Sequence, residues 1–317
     1  MRLKKALFIN RAPFDKLELD FDDSNIFLLS GINGKGKTTI LSYIVDAFYE
    51  LAKKGYRNEF ENNSNAYYRV SAGLFSLNSL TFSIVYLRFV AKDGKENDYI
   101  DIRGSITEEE YYAVLGIDNP IPFSDISKSL EKNNNLKYWK NHSEKDSRDL
   151  FSTVIMTYFP AYRYEQPYYL NTPYKPELEF SKDMGFSGYL DNPIEVTSDF
   201  PRIANWMMDV VLDKAVYNDE SSEVLKSINA IITLILYSKV KKPIRLGIGR
   251  RYAGAQRISI MSVKDNTEIY PSIFLMSSGE MALIAEFVEL LKQADTLLRK
   301  GRFAERGCKW EETISWF

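Results

Sequence analysis

An α/β fold, with a mixed central sheet flanked by helices, is what this 317-residue sequence predicts, and three features predict it. At residues 25–51 a glycine-rich loop joins a short apolar run to a segment with helical periodicity. At 14–22 apolar and polar residues alternate as they do in a half-buried strand, and 80–90 and 99–104 read as two further strands. At 279–298 Met281, Leu283, Ile284, Phe287, Val288, Leu290 and Leu291 recur at the spacing of one long amphipathic helix.

The elements follow in chain order. Leu7-Phe8-Ile9 opens a first strand, and Phe14, Leu17, Leu19 and Phe21, with Glu18 and Asp20 between them, form a second. Asn25-Ile26-Phe27-Leu28-Leu29-Ser30 reads as a buried strand, and a helix follows from Lys37 to about Lys54, with Gly55 as its stop. Residues 56–72 are polar and predict a loop. Leu80–Val90 and Tyr99–Gly104 read as strands joined by a turn at Asp93-Gly94. Residues 105–150 carry many charges and the run Asn133-Asn134-Asn135, which predicts an exposed, partly helical inserted lobe. Val154–Phe159 reads as a core strand, 200–237 as two helices, and 244–263 as a hairpin. The organisation expected is an N-terminal lobe at 1–104, the inserted lobe at 105–150, the remainder of the core at 151–298 and an atypical tail at 299–317. No internal repeat or Pro/Gly/Ser linker separates independent domains.

The glycine-rich loop is Gly31-Ile32-Asn33-Gly34-Lys35-Gly36-Lys37-Thr38, which fits G-x-x-x-x-G-K-[ST]. Glycines let successive backbone N–H groups turn inward on phosphates, and the helix that follows adds its positive end. The pattern assigns Asn33, Gly34, Gly36, Lys37, Thr38 and Thr39 to a nucleotide, Lys37 to its β/γ-phosphates and the Thr38 hydroxyl to Mg²⁺. The plain alternative is a glycine-rich turn after a strand.

Composition narrows the function classes. The chain is 45% hydrophobic and 26% charged, with 21 Tyr and 19 Phe. A formal net charge of −2 gives no global attraction for nucleic acid or anionic membranes. Cys308 is the single cysteine, so no intrachain disulfide forms; His142 is the single histidine, so a His-rich metal site or a His-based nuclease centre within this chain is excluded. The longest apolar stretch, Ala230–Tyr237, falls far short of the ~20 residues of a membrane span. A cytoplasmic protein is expected, with no membrane partner.

A second motif, Leu275-Met276-Ser277-Ser278-Gly279-Glu280, precedes the long helix. Ser-Ser ahead of a helix is an ordinary N-cap. With the P-loop upstream it also resembles the signature motif of ABC-type ATPases, in the Ser-Ser-Gly-Glu form found in the RecF/SMC-like branch. That resemblance implies an ATPase head whose Ser277, Ser278, Gly279 and Glu280 face the γ-phosphate held by a second head, with ATP between them. The opening Leu7-Phe8-Ile9-Asn10-Arg11 followed by Phe14 is similar to the first strand of such heads, which implies that Arg11 lies near nucleotide; a solvated turn arginine is the alternative. Tyr158-Phe159-Pro160-Ala161-Tyr162-Arg163-Tyr164-Glu165-Gln166-Pro167 resembles a Q-loop region and implies that Gln166 serves Mg²⁺ and the attacking water. The same run resembles the PtuA-type ATPases of Septu antiphage systems, some of them carried by retrons. That likeness implies an HNH-type nuclease partner and, in retron versions, a reverse transcriptase with its DNA–RNA product.

The chain also departs from that pattern. No apolar strand ending in Asp-Glu follows the signature helix; Val210-Val211-Leu212-Asp213-Lys214 comes nearest and has Lys where Glu belongs. Loss of a general base typically costs ~10²–10⁴ in rate, so ATP binding with poor hydrolysis is expected. Lys239, Lys241, Lys242, Arg245, Arg250, Arg251, Arg257 and Lys264 supply eight positive charges and no acid lies among them until Asp265; a basic hairpin contacting phosphates and a solvated basic face are both open. Three functions compete: an ATPase that regulates a partner effector, a non-hydrolysing nucleotide-dependent scaffold, and a DNA-repair ATPase of the RecF/SMC type. A small-molecule kinase would lack any need for Ser-Ser-Gly-Glu.

Overall fold

The computed structural model describes residues 1–21, 26–56, 70–71, 82–91, 93–160, 194–196, 200–217, 222–248 and 258–300. The chain divides into two units, Met1–Phe151 and Ser152–Phe317. The α/β class holds in both, with strands of both polarities spread over three sheets.

In the first unit β1 (Arg2–Arg11), β2 (Phe14–Asp20), β3 (Phe82–Val90), β4 (Glu96–Gly104) and β5 (Asn135–Trp139) form one antiparallel sheet in the order β2-β1-β3-β4-β5. Alternation sends successive side chains to opposite faces. One face carries Leu7, Ile9, Ile84, Tyr86, Ile100 and Ile102, and packs on α2 (Glu108–Leu115), α3 (Phe123–Lys132) and their connection through Tyr111, Ile121 and Ile126. The other face carries Phe8, Phe89, Tyr99 and Trp139 and meets α1 (Lys37–Gly55). Trp139 Nε1 donates to the Ala47 carbonyl at 2.8 Å, and its ring stacks on Phe89 with centroids 5.4 Å apart. A helix α4 (Glu144–Phe151) lies along α1, where Ser147 Oγ donates to the Leu51 carbonyl at 2.6 Å.

Residues 105–150 are therefore not an exposed insertion. They supply the fifth strand and three covering helices, with Tyr111, Ile121, Ile126 and Trp139 buried. Their high charge sits on the outer faces of short amphipathic helices, such as Glu108-Glu109-Glu110 in the first turn of α2, where acids favour the helix N-terminus.

His142 meets Trp139 edge-on at 5.3 Å, and within the described residues neither ring nitrogen has a hydrogen-bond partner. Burial pushes its pKa down to about 4, with Asp146 opposing and Lys95 and Lys54 adding to the drop. The unfolded chain binds this proton near pH 6.5 and the folded chain does not, so stability is full above 6.5 and falls as pH drops toward 4. Thermal melts at pH 7.5 and 5.0 are expected to show His142→Phe losing less stability than the wild type, by roughly 1–2 kcal/mol after solvent screening. Identical losses would place the ring outside this linkage.

In the second unit a parallel pair, β6 (Thr157–Tyr158) and β7 (Glu195–Val196), precedes α5 (Phe200–Tyr217) and α6 (Ser222–Val240). Strands β8 (Ile244–Ile248), β9 (Ile258–Ser262) and β10 (Glu268–Tyr270) form an antiparallel sheet, and α7 (Ser278–Lys300) closes the unit. Its core joins Ile203 and Met207 of α5, Ile228 and Ile232 of α6, Leu246 and Ile260 of the sheet, and Ile284 and Val288 of α7. Strand β8 is an edge, and α6 caps it. Asn229 Oδ1 accepts from Leu246 N at 2.8 Å, and Thr233 Oγ1 accepts from Ile244 N at 3.3 Å. Side chains that occupy edge N–H groups block addition of a foreign strand there. No helix among the described residues is long and apolar enough to cross a membrane.

Two expected strands differ. Val154–Phe159 shrinks to the two-residue β6. Residues 26–30 carry no strand, and Ile26 and Leu28 are 82% and 90% exposed. Phe27 meets the Phe21 ring, 4.8 Å away and edge-on. An apolar run states a need for burial without naming what covers it, and among the described residues no strand pairs with this one.

Candidate nucleotide-binding site

The P-loop folds as its glycines require. Gly34 and Gly36 have φ of 81° and 87°, a left-handed conformation that costs an L side chain ~1–2 kcal/mol. Between them the loop turns back on itself, with Lys35 N donating to the Ile32 carbonyl at 3.3 Å. Gly36 is the N-cap of α1. No side chain caps that helix and no acid lies in its first turn, so its leading N–H groups keep their positive end toward solvent. Asn33, Gly34 and Thr38 are exposed, and Thr39 is half-buried. The Lys37 ammonium donates to the carbonyls of Gly31 at 2.6 Å and Ile32 at 3.1 Å, which holds it against the start of the loop.

Gly36 has a second constraint. A Cβ built on it would lie 2.3 Å from Phe14 Cζ and 2.7 Å from Pro13 Cγ. The turn between β1 and β2 thus presses directly on the base of the loop. That turn is fixed in three ways. Asn10, with φ of 50°, donates from Nδ2 to the Phe82 carbonyl at 2.9 Å. The Phe14 ring lies 5.5 Å from Phe8, which in turn lies 5.9 Å from Tyr43 of α1. Arg11 is buried, and its Nη2 donates to Asp101 Oδ1 at 2.7 Å. Its Nη1 meets the Tyr43 hydroxyl at 3.4 Å, and its guanidinium lies 5.4 Å from the centre of that ring.

Arg11 is thus neither a solvated turn residue nor a side chain reaching out over the loop surface; its guanidinium is held inside the sheet–helix layer. Asp101 and Tyr43, which hold it, were not singled out from sequence. Asp101 carried a signal, because an acid within Tyr99-Ile100-Asp101-Ile102 occupies a strand buried on both faces and such an acid needs a cation. A pairing across 90 residues gives no local cue to which cation.

The second motif builds the start of α7. Ser277 precedes the helix. Its backbone N–H donates to Glu280 Oε2 at 2.8 Å, and Glu280 N approaches Ser277 Oγ at 3.4 Å, the reciprocal pattern of a capping box. Ser277, Ser278 and Gly279 are exposed, and among the described residues nothing lies within 4 Å of a Cβ placed on Gly279. Lys239, at the end of α6, donates to Glu280 Oε1 at 3.0 Å. Burial raises the Glu280 pKa, but the Ser277 backbone bond and Lys239 outweigh it and hold the carboxyl below its usual range. The N-cap reading therefore holds in full, and the exposed Ser277–Gly279 surface is also what the signature reading requires.

Of the basic residues in this region, Lys239 pairs with Glu280, Lys242 lies 3.7 Å from Asp265, and Arg245 donates to Asn266 Oδ1 at 3.1 Å. Lys239 and Lys242 thus sit beside acids, whereas the contacts of Arg245 are to neutral oxygens and leave its charge uncompensated by them. Arg250, Arg251 and Arg257 lie outside the described residues, as do Gln166, most of the Tyr-rich run and the tail beyond 300. Among the described residues no group of three or more His, Cys, Asp or Glu is placed to hold a metal ion.

Comparison with known proteins adds the following. Residues 9–184 match the AAA domain family. A solved structure described as "Structural biochemistry of ATP-driven dimerization and DNA stimulated activation of SMC ATPases" is similar at 17% identity and a TM-score of 0.21, over 41% of this chain and 92% of its own. No curated protein matches the chain.

Proposed function

Because this chain belongs to the AAA domain family, we propose that it is an ATP-binding subunit of the RecF/SMC type that acts by pairing two copies around nucleotide. The observation that carries the reading is the P-loop itself: two left-handed glycines, an uncapped helix N-terminus and a lysine already drawn onto the loop. These residues fit a polyphosphate with a divalent cation. The N–H groups following Gly34 and Gly36 would bind phosphate oxygens, Lys37 would exchange its carbonyl partners for the β/γ-phosphates, and Thr38, exposed at the first turn of α1, would hold Mg²⁺. The bound cation neutralises phosphate charge. Arg11 stays out of the ligand set, because it is buried and both of its terminal nitrogens, Nη1 and Nη2, are engaged within the fold.

Ser277, Ser278 and Gly279 supply the complementary surface. Their exposure, the open space around Gly279 and the positive end of α7 suit the terminal phosphate held on a second copy. Glu280 is occupied by Lys239 and Ser277, which makes it a cap for this surface rather than a phosphate contact. Regulation of a nuclease effector of the HNH type, and a role in antiphage defence, rest on the Tyr158–Pro167 run alone and form the outer part of the proposal.

Calorimetric titration with ATP and Mg²⁺ tests the site. Binding is expected for the wild type and a loss of at least about 100-fold for Lys37→Ala, since charge-assisted phosphate contacts are the strong ones. Equal affinity of the two proteins would remove the P-loop from the account.

A further inference from the structure

We propose that Arg11 is a positioning residue that holds the P-loop in its binding geometry through the β1–β2 turn, without touching nucleotide; the inference rests on the reading of the P-loop as the nucleotide site.

Two contacts join the turn to α1, and they lie about two helical turns apart. Pro13 and Phe14 abut Gly36, the N-cap. Arg11 meets Tyr43 through both its hydroxyl and its ring. The same guanidinium is tied to β4 through Asp101 Oδ1 at 2.7 Å and, more loosely, the Asp101 carbonyl at 3.4 Å. Arg11 thus links three elements, β1, β4 and α1, at the point where the sheet meets the loop. The planar guanidinium carries donors in several directions, which a lysine ammonium on a flexible stem cannot reproduce in this geometry.

The local charge balance separates this role from plain stability. Asp101 Oδ1 also accepts from Arg103 Nε at 3.3 Å. One carboxylate thus stands between two buried guanidinium groups, and among the described residues Arg11 Nε and Arg103 Nη2 are buried without hydrogen-bond partners. The pair Asp101–Arg103 remains matched when Arg11 becomes neutral. Loss of the Arg11 charge leaves Asp101 with Arg103 as a cation, and what it removes is the ion pair to β4 and the tie to α1.

The test is Arg11→Met, with Tyr43→Phe as the milder second variant, which keeps the ring and removes only the hydroxyl. ADP and ATP affinities are measured with Mg²⁺ by calorimetry, and amide hydrogen exchange is followed without nucleotide. Arg11→Met is expected to weaken ADP and ATP by the same factor, on the order of tenfold, because a displaced cradle loses the phosphates common to both ligands. Tyr43→Phe is expected to weaken both equally and less. In the nucleotide-free protein, exchange is expected to rise at residues 36–43 and to stay unchanged at 97–103. A loss confined to ATP would make Arg11 a γ-phosphate contact and overturn the proposal. Unchanged exchange at 36–43 would overturn it as well, whether or not nucleotide binds. A wild-type protein that binds no nucleotide would instead defeat the assignment of the P-loop, while the exchange data would still decide the role of Arg11.

Discussion

Gly36→Ala is expected to abolish measurable nucleotide binding, while Gly34→Ala weakens it only modestly. Both glycines are left-handed, with φ of 87° and 81°. The strain of a Cβ there is the same for each, ~1–2 kcal/mol, or roughly a tenfold change if all of it falls on the bound geometry. They differ in their surroundings. Among the described residues nothing lies within 4 Å of a Cβ on Gly34, whereas one on Gly36 would lie 2.3 Å from Phe14 Cζ and 2.8 Å from Pro13 Cδ. Real Cβ atoms do not approach so closely, and the obstructing atoms belong to a ring packed on Phe8 and to a proline ring, neither of which swings aside freely. The helix start must therefore move. The cradle N–H groups move with it, and their summed contribution to a phosphate exceeds the ~2.7 kcal/mol that a 100-fold loss represents. Titration of the two variants reads the difference. Equal, small losses would mean that the turn does not support the loop.

Gly279→Arg is expected to separate nucleotide binding from association. Among the described residues nothing lies within 4 Å of a Cβ at this position, so the side chain starts into open space. Arginine gains ~0.8–1 kcal/mol over glycine in helix propensity, and a positive charge in the first turn of a helix costs ~0.3–1 kcal/mol. The two terms nearly cancel, so the subunit keeps its stability. ATP affinity of the isolated subunit is expected to be that of the wild type, because the P-loop lies in the other unit. The arginine does, however, fill the surface that would receive the nucleotide of a second copy. Association with MgATP is expected to fall by more than 100-fold, since a side chain of that size cannot be buried between closely apposed surfaces without separating them. Wild-type association in this variant would take the Ser277–Gly279 surface out of the interface.

The sequence was most informative where a motif constrains its own surroundings. A P-loop demands a helix after it, and α1 begins at Lys37 as the motif requires. Alternation in Phe14–Asp20 placed β2, and the near-continuous apolar run of Leu80–Val90 placed β3, which is buried on both faces. β5 was missed because Asn135-Leu136-Lys137-Tyr138-Trp139 sits among asparagines and lysines. Its inward residues are Leu136 on one face and Trp139 on the other, too few for a periodic signal. The segment at 26–30 was misread for the opposite reason, since strong hydrophobicity does not by itself supply a pairing partner. At the candidate site, the loop residues were legible and their support was not. Arg11 was noticed for its place beside the first strand, but its tie to Asp101 spans 90 residues, and the clash that fixes Gly36 comes from Phe14 on another element.

The central claim is that nucleotide on the P-loop brings two copies together. Light scattering of the wild type with and without MgATP tests it most directly. The account predicts a mass that doubles from the 36.7 kDa subunit when MgATP is added and does not change with Lys37→Ala. An unchanged wild-type mass at saturating MgATP, with binding confirmed by titration, would contradict it.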